Sequence, residues 1–484
     1  MLRRLEELCN LNGVSGDEGR VRRYIKNIAN DYADDVWVDT MGNLYAHKKG
    51  EGKKVVVTAH MDEVGMIIWG AMENGLLIYQ TQGIDPRVVV SKRVVIGEKE
   101  IPGVIGAKAI HLQSMADREK VLPHSELFID IGAKDKADAL KTVERGDYAA
   151  FATKWERLGN DKMKAKALDD RMGCAIALEL LKNTYDCDFT AVFTVQEELG
   201  LRGAQAAVYN VKPDVALVLE GTTANDMPGA EGHQHVTKVG GGPAISFMDG
   251  ATIVPRKMFE ALKKTAEEEG IPYQLKQAVA GGNDAGAIHK ALSGCVTGVI
   301  SVATRYIHSP CSVASITDFE NTYKLADAFL RTGKFNAAIL SENAAFLTFQ
   351  RFGFQSGRNA EKFYGASAVE RTANGILVWK EGVNAFLSGK VVSTVDLGTH
   401  TLFLADVTDG RILDTQTPSA TYTFYHEHIK PRPEEIQPAA EGKVRFRCKI
   451  CGYIHETKSD SLPEDFVCPL CKHGPEDFER IGQN

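Results

Sequence analysis

Short apolar runs alternate with helical patterns through the first two thirds of the chain, and this alternation constrains the fold more than any other feature. Runs such as "KVVVTAH" and "VALVLE" are typical of buried strands, and the segments between them carry apolar residues at helical spacing. We therefore expect an α/β fold with a mostly parallel sheet and helices on both faces. The predicted elements are, in chain order, a strand at 54–60, a helix at 171–183, a strand at 189–195, a helix at 202–208, a strand at 215–220, a helix at 256–269, a strand at 297–303 and a helix at 317–331.

The character of the sequence changes several times along its 484 residues, a length that suggests about three domains. Short β-type runs broken by Gly, Pro and Asp interrupt the α/β pattern and indicate a small inserted β-domain. A Pro-rich stretch, "IKPRPEEIQPAAEGK", is typical of a linker. The predicted parts are an α/β domain formed by 1–69 and 162–333, an inserted β-domain at 70–161, a β-rich region at 334–430, a linker at 431–442 and a Cys-rich domain at 443–484.

Charge and hydropathy exclude two classes of partner. The formal net charge of −7 gives no support to nucleic-acid binding. No apolar run approaches the roughly 18 residues that a membrane helix needs, so no membrane partner is expected. The start, "MLRRLEELCN", has no apolar signal-peptide core, and the expected location is the cytoplasm.

Two adjacent carboxylates, Glu197 and Glu198, follow a buried strand in "FTVQEELG". Two buried carboxylates repel each other and lose hydration, so a positive group is expected nearby.

Near the start, "SGDE" places Ser15 three residues before Glu18, a pattern that predicts a capping box for the second helix.

Other polar residues lie at the ends of the predicted strands or before a helix. In such sheets, ligand-binding and active sites form at the carboxyl ends of the parallel strands. Histidines mixed with carboxylates are ligands that zinc or cobalt accepts. The candidates are His60, Asp62, Asp169, Asp170, Glu197, Glu198, Glu220 and His308.

The motifs around these residues resemble the tetrahedral aminopeptidase family, which includes glutamyl and deblocking aminopeptidases and some members called cellulases. The resemblance covers residues 1–333 and implies a zinc-peptidase type of fold. It also implies peptide substrates and assembly into homo-oligomers, as dodecamers, through the inserted β-domain. The matching segments are "AHMDEVG", "ALDDRMG", "VQEELGLRGA", "LEGTTANDMPG", "GGNDAGAIH" and "TRYIHSP".

The resemblance implies a site for two divalent metal ions, zinc or cobalt. Asp169 would bridge the two ions, with Asp170 as the less favoured choice. His60 and Glu220 would complete one metal site, and Glu198 and His308 would complete the other.

Two further roles follow from the same resemblance. Glu197 would be the general base that activates a water held between the metals. Asp62 would hydrogen-bond the far nitrogen of His60, as carboxylates behind metal-bound histidines do.

Four cysteines lie close together near the end of the chain in "CKICGY" and "CPLCKHG". Four thiolates in a CxxC…CxxC pattern predict a tetrahedral metal site, and the spacing alone leaves zinc and iron both open. The surrounding residues resemble rubredoxin, which implies a rubredoxin-like iron knuckle with one iron that carries one electron, and a possible redox partner. The ligands would be Cys448, Cys451, Cys468 and Cys471.

Residues 334–430 resemble the latter part of a flavin reductase-like, FMN-binding split β-barrel. The first strands of such a barrel should precede Lys334, where the peptidase-like part still continues. We therefore expect an incomplete split β-barrel, and we do not expect FMN to bind without a partner that supplies the missing strands.

The main hypothesis is thus a dinuclear metal-dependent aminopeptidase. The alternative is an electron-transfer protein of the flavin reductase and rubredoxin type, in which the peptidase part is a passenger. A weaker third hypothesis is a glycosidase, because paired carboxylates also cleave sugars. The two histidines among the candidate ligands disfavour the glycosidase.

Overall fold

A computed structural model gives the structure of the chain. It describes residues 1–50, 53–185, 187–231, 234–331, 333–354, 362–363, 368–374, 376–397, 400–430, 444–449, 453–463, 466–468 and 473–481. The chain divides into two compact units, Met1–Thr332 and Gly333–Asn484.

The first unit contains both helices and strands along its whole length. Its helices are α1 (Leu2–Asn10), α2 (Gly19–Ala29), α3 (Met115–Arg118), α4 (Lys136–Thr142), α5 (Leu168–Leu180), α6 (Arg202–Val211), α7 (Arg256–Glu268), α8 (Ala285–Ile288) and α9 (Ile316–Leu330). Its strands are β1 (Asp35–Val38), β2 (Leu44–Lys48), β3 (Lys54–His60), β4 (Met66–Ala71), β5 (Leu77–Thr81), β6 (Arg93–Ile96), β7 (Ile101–Ala107), β8 (Leu127–Asp130), β9 (Tyr148–Phe151), β10 (Glu156–Leu158), β11 (Lys162–Ala165), β12 (Asp188–Thr194), β13 (Val215–Thr223), β14 (Ala244–Ile245), β15 (Gln274–Leu275), β16 (Val296–Arg305) and β17 (Ser312–Ser315).

Eleven of these strands form one large sheet in the order β1-β2-β12-β3-β13-β16-β17-β11-β10, with β14 and β15 beside β16. The α/β prediction is confirmed, but along the main strand order the sheet is parallel only at its centre, and β14 pairs parallel with β15 beside it. The strands β12, β3, β13 and β16 are parallel, and the strands on either side pair antiparallel. The loops that join β1 to β2, β10 to β11 and β16 to β17 are too short for the crossover that a parallel pair needs.

Both faces of the sheet are covered by helices. On β3, Val55 and Val57 belong to the main core, where α5 packs against β3 and β13. The intervening Val56 points to the other face and packs near Ala207 of α6. This alternation buries the central strands on both sides, as expected for the parallel part of an α/β sheet.

The inserted β-domain is a closed barrel of six strands in the order β4-β5-β8-β7-β6-β9. Its strands run from Met66 to Phe151, and its interior is a separate apolar core. The barrel begins four residues before the predicted insert at 70–161, and β10 pairs with β11 of the large sheet instead. The predicted start of the insert is a few residues too late because β4 is as apolar as the strands before it. The amino-acid composition of the chain therefore changes only within β4.

Among its described residues, the second unit is built mainly from strands, with two short α-helices. Its elements are β18 (Lys334–Leu340), α10 (Phe346–Gly353), β19 (Val369–Arg371), β20 (Leu377–Trp379), β21 (Val383–Asp396), β22 (Thr401–Ile412), α11 (Tyr422–Phe424), β23 (Val444–Cys448), β24 (Ile454–Thr457) and β25 (Phe478–Ile481). They form three antiparallel sheets, in the orders β18-β21-β22, β19-β20 and β24-β23-β25. Among the described residues of 333–430, these strands do not close into a barrel. The predicted linker at 431–442 lies outside the described residues.

In the part of the chain that the structure describes, no helix combines the length and the apolarity that a membrane span requires.

Candidate active site

The carboxyl ends of the central strands bring the predicted site residues to one edge of the sheet. His60 is the last residue of β3, and Glu220 lies in β13. Glu198 and His308 follow the ends of β12 and β16 within a few residues. Asp169 completes the group from the start of α5.

The carboxylate of Asp169 lies between the two histidines. Its Oδ1 is 3.4 Å from Nε2 of His60, and its Oδ2 is 3.6 Å from Nε2 of His308. Each histidine also faces a glutamate: Nε2 of His60 is 3.6 Å from Glu220 Oε2, and Nε2 of His308 is 3.1 Å from Glu198 Oε2. The result is two groups of ligand-type atoms that share Asp169.

Asp170 also lies close to His60 and Glu220, within 4.8 Å by their ligand-type atoms. Its two oxygens, however, already accept backbone hydrogen bonds. Oδ1 accepts from the amide of Gly173 at 2.8 Å, and Oδ2 accepts from the amide of His60 at 3.3 Å. These contacts make Asp169 the better candidate for a shared ligand.

Asp169 and Asp170 also differ in the direction of their pKa shifts. Burial alone would raise the pKa of Asp169, but hydrogen bonds from His308 and His60 outweigh it and lower the pKa. For Asp170, burial is the largest cause and raises the pKa well above its usual value. Asp169 is therefore poised as an anion, the form that binds a metal ion.

Asp62 connects the two halves of the site and is fully buried. Its Oδ1 lies 3.4 Å from Nδ1 of His60 and accepts a hydrogen bond from the amide of Glu197 at 3.0 Å. Its Oδ2 accepts from the amide of Glu198 at 3.2 Å and from the Ser15 hydroxyl at 2.6 Å. Nδ1 of His60 also lies 3.2 Å from the backbone carbonyl oxygen of Asp62. Asp62 thus orients the His60 ring through both its main chain and its carboxylate, and the carboxylate holds the turn that carries both glutamates.

The position of Ser15 corrects the predicted capping box. Helix α2 begins at Gly19 with Glu18 as the N-cap and without a side-chain cap. Glu18 accepts instead from the amides of Gly16 at 2.7 Å and Gln196 at 3.2 Å. The Ser15 hydroxyl and the Glu18 carboxylate therefore form hydrogen bonds other than those that the capping-box pattern predicts.

Glu197 is nearly buried, with 9% of its surface exposed. Burial is the largest cause that raises its pKa well above the usual value, and the carboxylates of Asp284, Glu198 and Asp169 add to the effect. Burial likewise raises the pKa of Glu198 to about 7. Several buried carboxyl groups thus lie close together at this edge of the sheet, and a bound cation would reduce their mutual repulsion.

Backbone strain accompanies three of the site loops. Ala167 precedes Asp169 with φ at 54°, Gln196 precedes Glu197 with φ at 53°, and His308 itself has φ at 55°. Left-handed φ values cost free energy for residues other than glycine and cluster at functional sites. The surrounding packing therefore holds these loops in place at some cost to stability.

Asp284 is a buried residue beside the site, and its position in the sequence motif "GGNDAGAIH" gives no sign of this. Its Oδ2 accepts a hydrogen bond from the Thr194 hydroxyl at 2.5 Å, and burial raises its pKa to about 6. In the sequence, an aspartate directly after "GGN" looks like an ordinary helix cap. Only the fold shows that the Asp284 carboxyl group interacts with Glu197.

Two clefts open beside Glu198 and His308, between the large sheet and the barrel. One, of about 380 Å³, is lined by Lys92, Tyr306 and Pro310 as well as His308. The other, of about 250 Å³, is lined by residues such as Ser15, Gln80 and Leu199 together with Glu198. Either cleft has room for a side chain of a bound peptide.

In the second unit, two of the four predicted cysteine ligands are described. Cys448 at the end of β23 and Cys468 are buried, with 1% and 0% of their surfaces exposed. The Cys448 amide donates to Tyr453 O at 2.8 Å, and the Cys468 amide donates to His473 O at 2.9 Å. Cys451 and Cys471 lie outside the described residues. Two buried thiols at matching turns fit a tetrahedral thiolate site.

Comparison with protein families assigns each part of the chain. The family model described as M42 glutamyl aminopeptidase matches residues 42–325. A flavin reductase like domain matches 293–431, and a rubrerythrin, rubredoxin-like domain matches 446–479. The first part of the flavin reductase match, up to residue 332, is folded here as β16, β17 and α9 of the first unit.

Three relatives support these matches. The lysyl aminopeptidase of Pyrococcus furiosus is 31% identical over 335 residues, which are 67% of this chain and 95% of the relative. The solved structure of the Pyrococcus horikoshii TET1 peptidase is 32% identical with a TM-score of 0.62, and the match covers 68% of this chain and 99% of that one. The high molecular weight rubredoxin of Moorella thermoacetica is 28% identical over 185 residues, 33% of this chain and 80% of the relative.

The fold, the acidic histidine-containing site and these relatives define a metal-dependent aminopeptidase, a hydrolase of peptide bonds. The chain belongs to the M42 glutamyl aminopeptidase family, and flavin reductase-like and rubredoxin-like parts follow the peptidase. Membership implies divalent metal ions in the peptidase, and the rubredoxin-like part implies an iron site.

Proposed function

We propose that the chain removes N-terminal residues from peptides with a dinuclear metal centre. The observation that carries the proposal is the position of Asp169, whose two oxygens face two different histidines. In this proposal His60, Asp169 and Glu220 hold one ion, and Asp169, Glu198 and His308 hold the other. Histidine nitrogens and carboxylate oxygens suit zinc or cobalt.

Glu197 is the proposed general base. When bound, the two ions supply Lewis acidity, which lowers the pKa of water and polarises the peptide carbonyl. Glu197 takes the proton of the attacking water on a carboxylate oxygen and passes it to the leaving amine. The hydrogen bond from its backbone amide to Asp62 and the raised pKa of its buried carboxyl group support this role.

The relatives also favour an exopeptidase, because the matched family and the lysyl aminopeptidase are both named for action at a free amino terminus.

We further propose that copies of the chain assemble through the inserted barrel. The Pyrococcus horikoshii TET1 peptidase is described as assembling into a tetrahedron or a large octahedral shell. The barrel region of the present chain exposes large apolar side chains, with Trp69 at 66%, Ile110 at 69% and Met115 at 72% exposure. Exposed apolar residues grouped in one small domain are typical of an interaction surface.

In the C-terminal part, Cys448, Cys451, Cys468 and Cys471 are the proposed ligands of one iron or zinc ion. Iron with four thiolates would carry one electron, and a redox partner stays a prediction. We do not propose FMN binding, because the described strands before Lys430 do not close a barrel.

The test is hydrolysis of a panel of aminoacyl-p-nitroanilides by the purified full-length protein. Activity should disappear after treatment with EDTA, return with zinc or cobalt, and fall by about 10²- to 10⁴-fold in Glu197→Gln. Nitroanilide hydrolysis that survives complete chelation would contradict the metal-dependent mechanism. Hydrolysis of blocked and unblocked peptides then distinguishes an exopeptidase from an endopeptidase.

A further inference from the structure

Three charged side chains are completely buried directly behind the metal-type ligands. Glu63, Lys166 and Arg171 have 2%, 1% and 0% of their side-chain surfaces exposed. Glu63 lies three residues after His60, and Lys166 lies three residues before Asp169. These charges therefore flank the two loops that supply one proposed metal site.

An ion pair joins the two loops. The Nζ of Lys166 donates hydrogen bonds to Oε1 and Oε2 of Glu63 at 2.5 and 2.8 Å. Glu63 also accepts from the amide of Gly13 at 2.9 Å, and Arg171 donates to Leu8 O at 2.7 Å. The pair is thus anchored to the segment after α1 and cannot shift without disturbing it.

Lys166 lines a small cavity with Asp169, Glu198 and His308, which raises the question of a catalytic role. An ammonium group has three donors, and a third hydrogen bond from Lys166 goes to Leu11 O at 2.8 Å. All three donors are used, so none is left for a substrate. The side chain can act on the reaction only through the loops that it joins.

Stability alone does not explain these charges. A buried ion pair loses its hydration, and apolar replacement of such a pair is often neutral or stabilising. What a pair of this kind supplies is a fixed distance between two backbone segments, because both partners lose free energy when they separate. Here those segments end in His60 and Asp169.

We propose that Glu63 and Lys166 are positioning residues that set the separation of His60 and Asp169, and with it the affinity for the ion these two would share. The inference rests on the proposed dinuclear site. It predicts a defect in metal binding that is separable from any defect in folding.

The test compares E63Q, K166M and the double variant E63Q/K166M as full-length, metal-free proteins. E63Q adds one positive charge to the buried group and K166M removes one, whereas the double variant leaves the net charge unchanged. Thermal unfolding reports stability. Cobalt titration reports the affinity of the nitrogen and oxygen site, which lacks the thiolate charge-transfer absorption of the four-cysteine site.

We expect the double variant to regain most of the stability lost in E63Q while cobalt affinity stays about 10- to 100-fold weaker than in the wild type. E63D, which keeps the charge but shortens the reach, should also weaken cobalt binding. Cobalt affinity that recovers together with stability in the double variant, or that never changes, would overturn the inference.

The matched control is Y185F, which removes a buried hydroxyl that donates to Asp327 at 2.8 Å in the same unit. It should lower the unfolding temperature without changing cobalt affinity. If the wild type itself shows no cobalt at a nitrogen and oxygen site, the proposed function fails as well. If the wild type binds cobalt and the double variant binds it equally, only the positioning role fails.

Discussion

At the scale of single residues, neighbouring carboxylates in this site are assigned different tasks by their contacts. The backbone amides of both Glu197 and Glu198 donate to Asp62, and the Oε2 of Glu198 lies 3.1 Å from His308. In the proposed mechanism the pair divides proton transfer and metal binding between two consecutive positions.

Conversion of each glutamate to glutamine tests this separation. E197Q should lower kcat by about 10²- to 10⁴-fold, because a general base is lost, while cobalt affinity is unchanged. E198Q should weaken cobalt binding as well, because an amide oxygen is a poorer ligand than a carboxylate. Steady-state kinetics and cobalt titration of both variants measure the difference, and equal losses of metal in the two would contradict it.

Asp62 is expected to act through His60. D62N keeps the size of the side chain but removes the charge beside Nδ1 of His60, 3.4 Å away. Metal affinity or activity should fall about 10- to 100-fold, as for other groups behind metal-bound histidines. S15A removes a hydroxyl that donates to Asp62 but leaves the Asp62 charge in place. It is the milder control, and its metal affinity and activity should fall less than those of D62N.

Asp284 provides a prediction for pH. Its pKa is raised by burial from 3.8 to about 6, so between these values the folded protein binds more protons than the unfolded chain. The contribution of Asp284 to the free energy of unfolding therefore falls as pH rises through this window. In metal-free protein, D284N should become progressively more stable relative to the wild type from about pH 4 to pH 6. A difference in unfolding temperature that is constant with pH would contradict this.

At the scale of elements, the strands that carry the site are readable from the sequence, and the contacts between them are not. The strand predicted at 54–60 is β3 with the same bounds, because its apolar run ends abruptly at His60. The capping box at Ser15 fails because Asp62, far away in the chain, takes the hydroxyl. The ion pair of Glu63 and Lys166 is likewise invisible, since each residue alone looks like a surface charge.

Helix α9 is held by a cap whose loss is measurable. The Ser315 side chain accepts a hydrogen bond from the Asp318 amide at 3.1 Å and donates to Asp161 at 2.7 Å. S315A should cost about 1 kcal/mol or somewhat more in the free energy of unfolding, because cap and tether are both lost. Denaturant unfolding measures this loss, and S315T, which keeps a hydroxyl, should recover part of it.

At the scale of the whole molecule, the peptidase site and its supporting contacts lie within Met1–Thr332. The flavin reductase match begins at 293, inside this unit, and those residues are committed to the large sheet and to α9. Among the described residues, the second unit therefore begins with β18, and the first part of the flavin reductase match is folded within the first unit. The overlap explains why the sequence of this segment matches two families, although it is folded as part of the peptidase.

A chain that ends at Thr332 should retain metal-dependent aminopeptidase activity, with kcat/KM within a few-fold of the full-length protein. The comparison needs both proteins at equal metal occupancy and equal oligomeric state. A truncated protein that is folded and binds metal but is inactive would show that the second unit contributes to the reaction.

In the proposed dinuclear centre the carboxylate of Asp169 would be shared, so the two metal sites would not fill independently. An ion at one oxygen changes the charge and freedom of the other, which makes occupancy a cooperative quantity. By thermodynamic reciprocity, whatever factor the first ion imposes on the second is imposed in return. A substitution at His308 will therefore be felt in the affinity at His60, and activity will follow free metal concentration as a coupled curve rather than as the sum of two simple isotherms.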